Sequence, residues 1–122
     1  MAKLNSIVTR CKSSNVSIDK ICKIKKYIPI KDKFNFLKKY GELINAHIND
    51  YPEYKSFVAF VFFNLMIVKE YTDIELDLTY EEFDMLQENK IIDKIVEVVS
   101  DEYKLLLSLI KDGNDNLVDN KQ

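Results

Sequence analysis

Four acidic side chains near the middle of the chain have the spacing closest to that of a metal site. Asp73, Glu75, Asp77 and Asp84 occupy positions 1, 3, 5 and 12 of a calcium-binding-loop frame. That frame requires glycine at position 6, where this chain has Leu78, and it ends on a glutamate rather than the shorter Asp84. We therefore interpret these acids as a solvated or partner-facing rim and not as a calcium site.

The thiols and the single imidazole do not form a recognisable site either. Cys11 and Cys22 lie far in sequence from His47, so the spacing of zinc ligands is not met. His47 has no serine or cysteine partner placed by a known motif, and the sequence contains no phosphate loop, nucleophile elbow or paired-histidine helix. We expect no catalytic, metal or cofactor site, and hence not an enzyme.

Charge is divided unevenly along the chain. Residues 1–40 hold eleven Lys or Arg and two acids, whereas residues 41–122 hold seven Lys and eighteen acids. The basic part could lie on the acidic helices of its own chain. It could also bind the acidic face of another copy, head to tail, which produces a ring or an open array. Nucleic-acid binding is disfavoured, because only one of the eighteen basic residues is arginine and the pI is near 5.4.

Two groups of charged residues are the candidate partner-binding sites of these interpretations. The basic group comprises Lys20, Lys23, Lys25 and Lys26, and the acidic group comprises Asp73, Glu75, Asp77, Glu81, Glu82, Asp84 and Glu88.

The chain contains one almost uninterrupted apolar run, residues 57–68, and the rest of the fold must be arranged around it. Only Asn64 is polar in it, and Lys55 and Lys69 flank it. The run is shorter than the roughly 20 residues that span a bilayer, so it predicts a buried central helix in which a neighbouring group satisfies the Asn64 amide. With two Gly and two Pro in 122 residues, the composition favours an all-α fold: a single compact bundle of about five helices around this one.

The other helices are predicted from periodicity and caps. A helix from Lys31 to Ile48 should bury a stripe consisting of Phe34, Leu37, Gly41, Ile44 and Ile48, backed by Phe36 and Leu43. Thr79 and Glu82 form a capping box that opens a short helix, which Asn89 and Lys90 end. Ile91 to Val99 forms the next helix. Ser100 begins the last helix and Gly113 ends it, and Tyr103, Leu106, Leu107 and Ile110 should face inward.

The two ends of the chain are expected to lie outside this bundle. Residues 1–30 are predicted to form an extended basic N-terminal arm, residues 31–112 the helical domain, and residues 113–122 a polar tail. Within the arm, Cys22, Ile24, Ile28 and Ile30 lie on one side of an extended chain at period two, interrupted by Lys26, and Pro29 would confine such a strand to a sheet edge. That stretch could pack on its own helices or pair with a partner chain. The N-terminus lacks the apolar segment of a signal peptide, so the protein is expected to stay where it is made.

Several phrases together resemble those of one protein family. KKYIPIKDKFNFLKKY from Lys25, the apolar helix, KEYTDIEL, FDMLQENKIIDKIVEVV and SDEYKLLLSLI cover about Lys25 to Ile110. Over this range the chain resembles small uncharacterised all-helical proteins encoded by tailed phages of AT-rich bacteria. The resemblance implies a helical domain of the virion or its assembly machinery, such as a neck, tail or capsid-associated component.

The expected function is that of a phage structural or assembly protein that binds itself or neighbouring virion proteins, in the virion or in the cytoplasm of the infected host. One alternative is a small phage inhibitor that binds a host factor through the acidic surface from Asp73 to Glu88. A further alternative is nucleic-acid binding through the basic arm. No membrane association is expected.

Overall fold

The helical class predicted from composition is confirmed in a computed structural model, which describes the backbone of residues 2–13 and 17–120 and the side chains of residues 3–10 and 17–111. The helices of this part are α1 (Leu4–Ser13), α2 (Ile18–Ile21), α3 (Ile30–His47), α4 (Lys55–Tyr71), α5 (Tyr80–Glu88), α6 (Ile91–Val98) and α7 (Ser100–Asn120). A 3-10 turn, Pro52–Tyr54, precedes α4. Two short strands, β1 (Ala2–Lys3) and β2 (Ile74–Glu75), pair in parallel.

Helix α4 is the central helix that the apolar run predicts, but Phe57 and Phe60 at the start of the run are exposed, contrary to the prediction. Its side chains are buried continuously from Val61 to Val68, and Val58 and Tyr71 extend the buried set toward both ends. The Asn64 amide donates to the Phe60 carbonyl at 2.8 Å and accepts from the Tyr103 hydroxyl at 3.2 Å. The core therefore carries this polar group without an unpaired amide, as predicted.

The connection from α4 to α6 also follows its local sequence. Thr79 and Glu82 form the predicted capping box, in which the Thr79 hydroxyl accepts from the Glu82 N–H and the Glu82 carboxylate accepts from the Thr79 N–H. Helix α5 ends before Lys90, whose φ of 59° lies in the left-handed region. This conformation turns the chain sharply enough for α6 to bury Ile91, Ile92 and Ile95 against the core.

Helix α3 confirms the predicted stripe only in part, because Leu37, Ile44 and Ile48 are half-buried but its other two members are exposed. Lys33 and Phe36 are buried, whereas Phe34 is 64% exposed and Gly41 is exposed. The phase of the helix is set by Phe36, whose ring packs edge-on against Phe63 of α4.

The N-terminal segment differs from the expected extended arm. Residues 4–13 form α1, which places Leu4, Ile7 and Val8 in the core, and α2 adds Ile18 and Ile21 to it. The i, i+3, i+4 spacing in α1 is that of an amphipathic helix, and burial of this face outweighs the polar composition of the segment. Residues 14–16 lie outside the described residues.

The stretch between α2 and α3 is extended, and it packs within its own chain. The Lys25 N–H donates to the Tyr71 carbonyl at 2.7 Å, and Ile24 forms a single antiparallel bridge with Thr72. Cys22 and Ile28 are buried, as the period-two pattern predicts, but Ile30 begins α3 and is exposed. The extended segment thus covers the C-terminal end of α4.

Helix α7 is longer than predicted. Gly113 was expected to end it, but the helix continues to Asn120 and includes most of the predicted polar tail. Leu106 is buried, Tyr103 and Ile110 are half-buried, and Leu107, which was expected to face inward, is exposed. No helix among the described residues is long and apolar enough to cross a membrane.

Candidate functional site

A buried ionic cluster joins four parts of the chain at one end of the α3–α4 pair. The Lys33 ammonium lies 3.0 Å from Glu102 Oε1 and donates to the Ile28 carbonyl at 2.6 Å. The same Glu102 oxygen accepts from the Ile28 N–H and from the Tyr71 hydroxyl, each at 3.1 Å. We call these four residues the clasp. It ties the extended segment, α3, α4 and α7 together.

The clasp holds Glu102 in its charged form. Burial alone raises the pKa of a carboxyl, but the hydrogen bonds from Lys33, Ile28 and Tyr71 outweigh it, so the pKa of Glu102 lies below its ordinary value. Burial and the neighbouring carboxylate raise the pKa of Tyr71 above its ordinary value, which keeps its hydroxyl protonated as a donor. These contacts link four segments of the chain that are distant in sequence.

A basic and apolar surface covers the clasp. The Tyr27 ring lies 3.8 Å from the Lys33 ammonium on its inner side, while 59% of Tyr27 is exposed to solvent. Ile30 and Phe34 are each 64% exposed on the first turns of α3. Three exposed lysines accompany these side chains, so we define the basic end by Lys25, Lys26, Tyr27, Ile30, Lys31 and Phe34.

The turn between α3 and α4 is fastened by the only histidine. His47 Nδ1 donates to Asp50 Oδ2 at 2.8 Å, and the Tyr80 hydroxyl donates to the same oxygen at 2.9 Å. The imidazole stacks on Phe62 at 4.4 Å between ring centroids. These hydrogen bonds lower the pKa of Asp50, and burial together with Asp50 raises the pKa of Tyr80 to about 12. The contacts of His47 therefore stabilise the turn between α3 and α4.

An exposed group of aromatic rings lies beside this turn. Its members are Tyr51, Tyr54, Phe57 and Phe60, of which the least exposed still shows 43% of its surface to solvent. We call them the aromatic end. Phe57 and Phe60 are stacked on each other, and both pack edge-on against Phe83 of α5. Large adjoining apolar side chains on the surface of a soluble domain are typical of an interaction site.

A cavity of about 330 Å³ opens within the aromatic end. Its walls are formed mostly by rings, its floor by two valines and one edge by a carboxylate: Tyr51, Tyr54, Phe57, Val58, Val61, Tyr80, Phe83 and Asp84. The planes of Tyr51 and Tyr80 are inclined by 85°, and those of Phe57 and Phe83 by 88°. Because these ring pairs meet at right angles, they form adjoining walls rather than a flat stack.

Three acids of α5 continue from this cavity along one helix face. Glu81, Asp84 and Glu88 are exposed and follow one another at intervals of three and four residues. Such spacing places side chains on the same side of a helix. The α5 side of the aromatic end therefore carries three acids, although Lys55 is also exposed between Tyr54 and Phe57. The basic end carries Lys25, Lys26 and Lys31 against one exposed acid, Asp32.

Other predicted partner-binding acids are occupied within the chain. The Asp73 carboxylate accepts from the Lys23 N–H at 3.0 Å, and Glu75 lies 3.5 Å from the Lys3 ammonium. Glu82 accepts from the backbone N–H groups of Asp77 and Thr79. Of the predicted basic residues, Lys20, Lys23, Lys25 and Lys26 are all exposed. Some of the acids that the sequence offers to a partner therefore already bind groups of their own chain.

The calcium-loop frame does not bring its acids together in the part of the chain whose side chains are described. No group of three or more His, Cys, Asp or Glu there could hold a metal ion. Asp73 lies beside the extended segment and Asp84 lies at the aromatic cavity.

The two ends are separated by most of the length of α4. Lys25 bonds to Tyr71 at the C-terminal end of α4, and Phe57 lies in its first turn. A helical rise of 1.5 Å per residue puts about 21 Å between Phe57 and Tyr71 along the axis. The basic and aromatic ends therefore lie at opposite ends of one helix.

The sequence reasoning missed the aromatic end and the clasp. The signal for the aromatic end was present, because Tyr51, Tyr54, Phe57 and Phe60 recur every three residues. An uninterrupted apolar run predicts burial on every face, and that expectation conceals the outward spacing of Phe57 and Phe60. Nothing local marks the clasp: Lys33 and Glu102 are far apart in sequence and each looks like a surface residue.

Comparison with known proteins gives no relative for this arrangement: no family model, no curated protein and no solved structure matches the chain.

Proposed function

We propose that the chain is a self-assembling structural protein whose copies bind head to tail. The basic end of one copy docks on the aromatic end of the next. In this proposal α3 to α7 form a bundle around α4, and the basic N-terminal part is the segment that a neighbouring copy binds. The observation that carries the proposal is the placement of two exposed apolar surfaces with opposite bordering charge at opposite ends of one helix.

The chemistry of the two ends is complementary. Tyr27, Ile30 and Phe34 offer apolar area between lysines, while the aromatic end offers rings beside Glu81, Asp84 and Glu88. Burying rings against aliphatic and aromatic side chains supplies most of the free energy of association, and opposite charges at the rim fix orientation. Because the two surfaces differ, the contact is heterologous, and its repetition gives a ring or an open array.

A role in the particle of a tailed phage belongs to the same proposal and rests on the sequence resemblance alone. The inhibitor alternative needs a continuous acidic surface from Asp73 to Glu88. Asp73, Glu75 and Glu82 already accept hydrogen bonds or pair with lysine inside the chain, which weakens this alternative.

The test uses two single variants, each of which removes one end. Phe34→Ser removes an exposed ring from the basic end, and Phe57→Ser removes an exposed ring from the aromatic end. Leu105→Ser is the matched control, since Leu105 is 43% exposed on α7 and belongs to neither end. Solution mass is measured by light scattering coupled to size-exclusion chromatography, at low and high salt.

We expect the wild type and the Leu105→Ser control to form oligomers that shrink at high salt, and each end variant to be monomeric. An equimolar mixture of the two end variants should form a dimer and nothing larger, because only one competent pair of surfaces remains. A wild type that is monomeric under all conditions would overturn the proposal. Loss of assembly in Phe57→Ser alone, unaffected by mixing, would show a symmetric contact instead.

A further inference from the structure

The cavity of the aromatic end has a lining suited to one chemical class of ligand. Five aromatic side chains contribute to it, and the single charged residue among its lining is Asp84. Ring faces carry negative electrostatic potential and attract cations within about 6 Å of the ring centroid. A carboxylate at the edge adds a full negative charge of the same sign.

The geometry also fits this class. The perpendicular pairs Tyr51–Tyr80 and Phe57–Phe83 hold rings as adjoining walls, so a cation inside can contact more than one ring. Asp50 fixes Tyr80 through its hydroxyl, which orients that wall before any ligand binds. Val58 and Val61 are buried at the floor and offer apolar contact to methyl or methylene groups.

We propose that this cavity is a binding site for an alkylammonium group. The volume of about 330 Å³ accommodates the end of a lysine side chain or a quaternary ammonium, and lies at the lower end of ligand-site volumes. That the natural occupant is a lysine from the basic end of the next copy rests on the proposed function. The ammonium selectivity itself does not.

The test is a titration of the full-length Phe34→Ser variant, whose blocked basic end leaves the cavity open. The probes are n-butylammonium and tetramethylammonium, and their neutral counterparts of equal size are 1-butanol and tert-butanol. Binding is followed by NMR through the methyl signals of Val58 and Val61. Preference for n-butylammonium indicates a lysine side chain, and preference for tetramethylammonium a quaternary ammonium ligand.

We expect each cation to bind about tenfold more tightly than its neutral counterpart, and Asp84→Asn and Phe57→Leu each to weaken cation binding severalfold. Asp93→Asn is the control, because Asp93 is exposed on α6 and does not line the cavity. Equal affinity for cation and alcohol, or no binding of either, would overturn the inference.

The outcomes of this titration and of the assembly test are independent. A wild type that never oligomerises while Phe34→Ser binds the cations would overturn the proposed function and support the ammonium site. A wild type that assembles while Phe34→Ser binds no probe would do the opposite.

Discussion

The two ends of α4 both depart from the usual pattern of burial, one by burying charged groups and the other by exposing aromatic rings. At the clasp, Lys33 and Glu102 are buried and hydrogen-bonded to groups of the same chain. At the aromatic end, Phe57 and Tyr54 remain largely exposed although they are apolar. Buried charged groups and exposed aromatic rings are the reverse of the usual distribution, in which charged side chains face solvent and aromatic side chains are buried. The difference fits the proposed division of roles, in which the clasp stabilises the fold and the aromatic end binds a neighbouring copy.

The largest expected effect is the loss of stability when the clasp loses one partner. Glu102→Gln leaves the Lys33 ammonium buried without a counter-charge, and we expect the free energy of unfolding to fall by about 3–5 kcal/mol. Urea denaturation followed by circular dichroism measures it. The double variant Lys33→Met/Glu102→Gln should recover much of the loss, because the unpaired charge is gone and the carbonyl of the introduced glutamine can still accept from Ile28 and Tyr71.

A single-variant loss below about 1 kcal/mol would contradict the tight, buried clasp, because that value is typical of exposed ion pairs. Phe57→Ser provides the comparison at the other end of α4. Since Phe57 is 59% exposed, its replacement should change unfolding much less than Glu102→Gln does, while it abolishes assembly.

The second-largest effect is expected at acidic pH, where protonation of Glu102 weakens the clasp. The folded-state pKa of Glu102 lies below its ordinary value of 4.5. Its contribution to stability is therefore fully present above pH 4.5 and is lost as pH falls through the lower folded-state pKa. We expect wild-type stability to decline more steeply in this range than that of Glu102→Gln, as measured by urea denaturation at a series of pH values. If the stabilities of the wild type and of Glu102→Gln declined in parallel as pH falls, the folded state would not stabilise the charged form of Glu102.

Much of the framework between the two ends could be predicted from the sequence. The apolar run gave α4, Asn64 was correctly placed as a satisfied core amide, and Thr79 with Glu82 correctly marked the start of α5. These features depend on residues close together in the chain. Local propensity and periodicity are sufficient for them.

The parts that could not be predicted depend on contacts between distant segments or on backbone conformation. The pairing of Lys33 with Glu102 follows only from the packing of α3 against α7. Lys90 adopts a left-handed conformation that its residue type does not indicate. Helix α1 had an apolar i, i+3, i+4 pattern at Leu4, Ile7 and Val8, but only the core it packs against shows that the pattern is used.

A smaller effect is expected midway between the two ends. Gly41 lies within α3, and a Cβ built on it meets no atom within 4 Å. Gly41→Ala should therefore raise the free energy of unfolding by about 0.5–1 kcal/mol, because alanine loses less conformational entropy in a helix. Urea denaturation measures the gain, and the solution mass should stay that of the wild type. Destabilisation would contradict the open space found at Gly41, and altered assembly would show that a neighbouring copy contacts this part of α3.

The smallest effect is expected at the exposed counterpart of the clasp. Lys3 and Glu75 are also an ion pair, 3.5 Å apart, but their side chains are 76% and 38% exposed. Water solvates each charge when the other is removed, so Glu75→Gln should lower the free energy of unfolding by less than about 1 kcal/mol, and raised salt should reduce that difference further. Urea denaturation at low and high salt measures it. If Glu75→Gln lowered the free energy of unfolding as much as Glu102→Gln does, an exposed and a buried ion pair of the same chemistry would have the same effect. Burial would then not be the reason for the large contribution of the clasp.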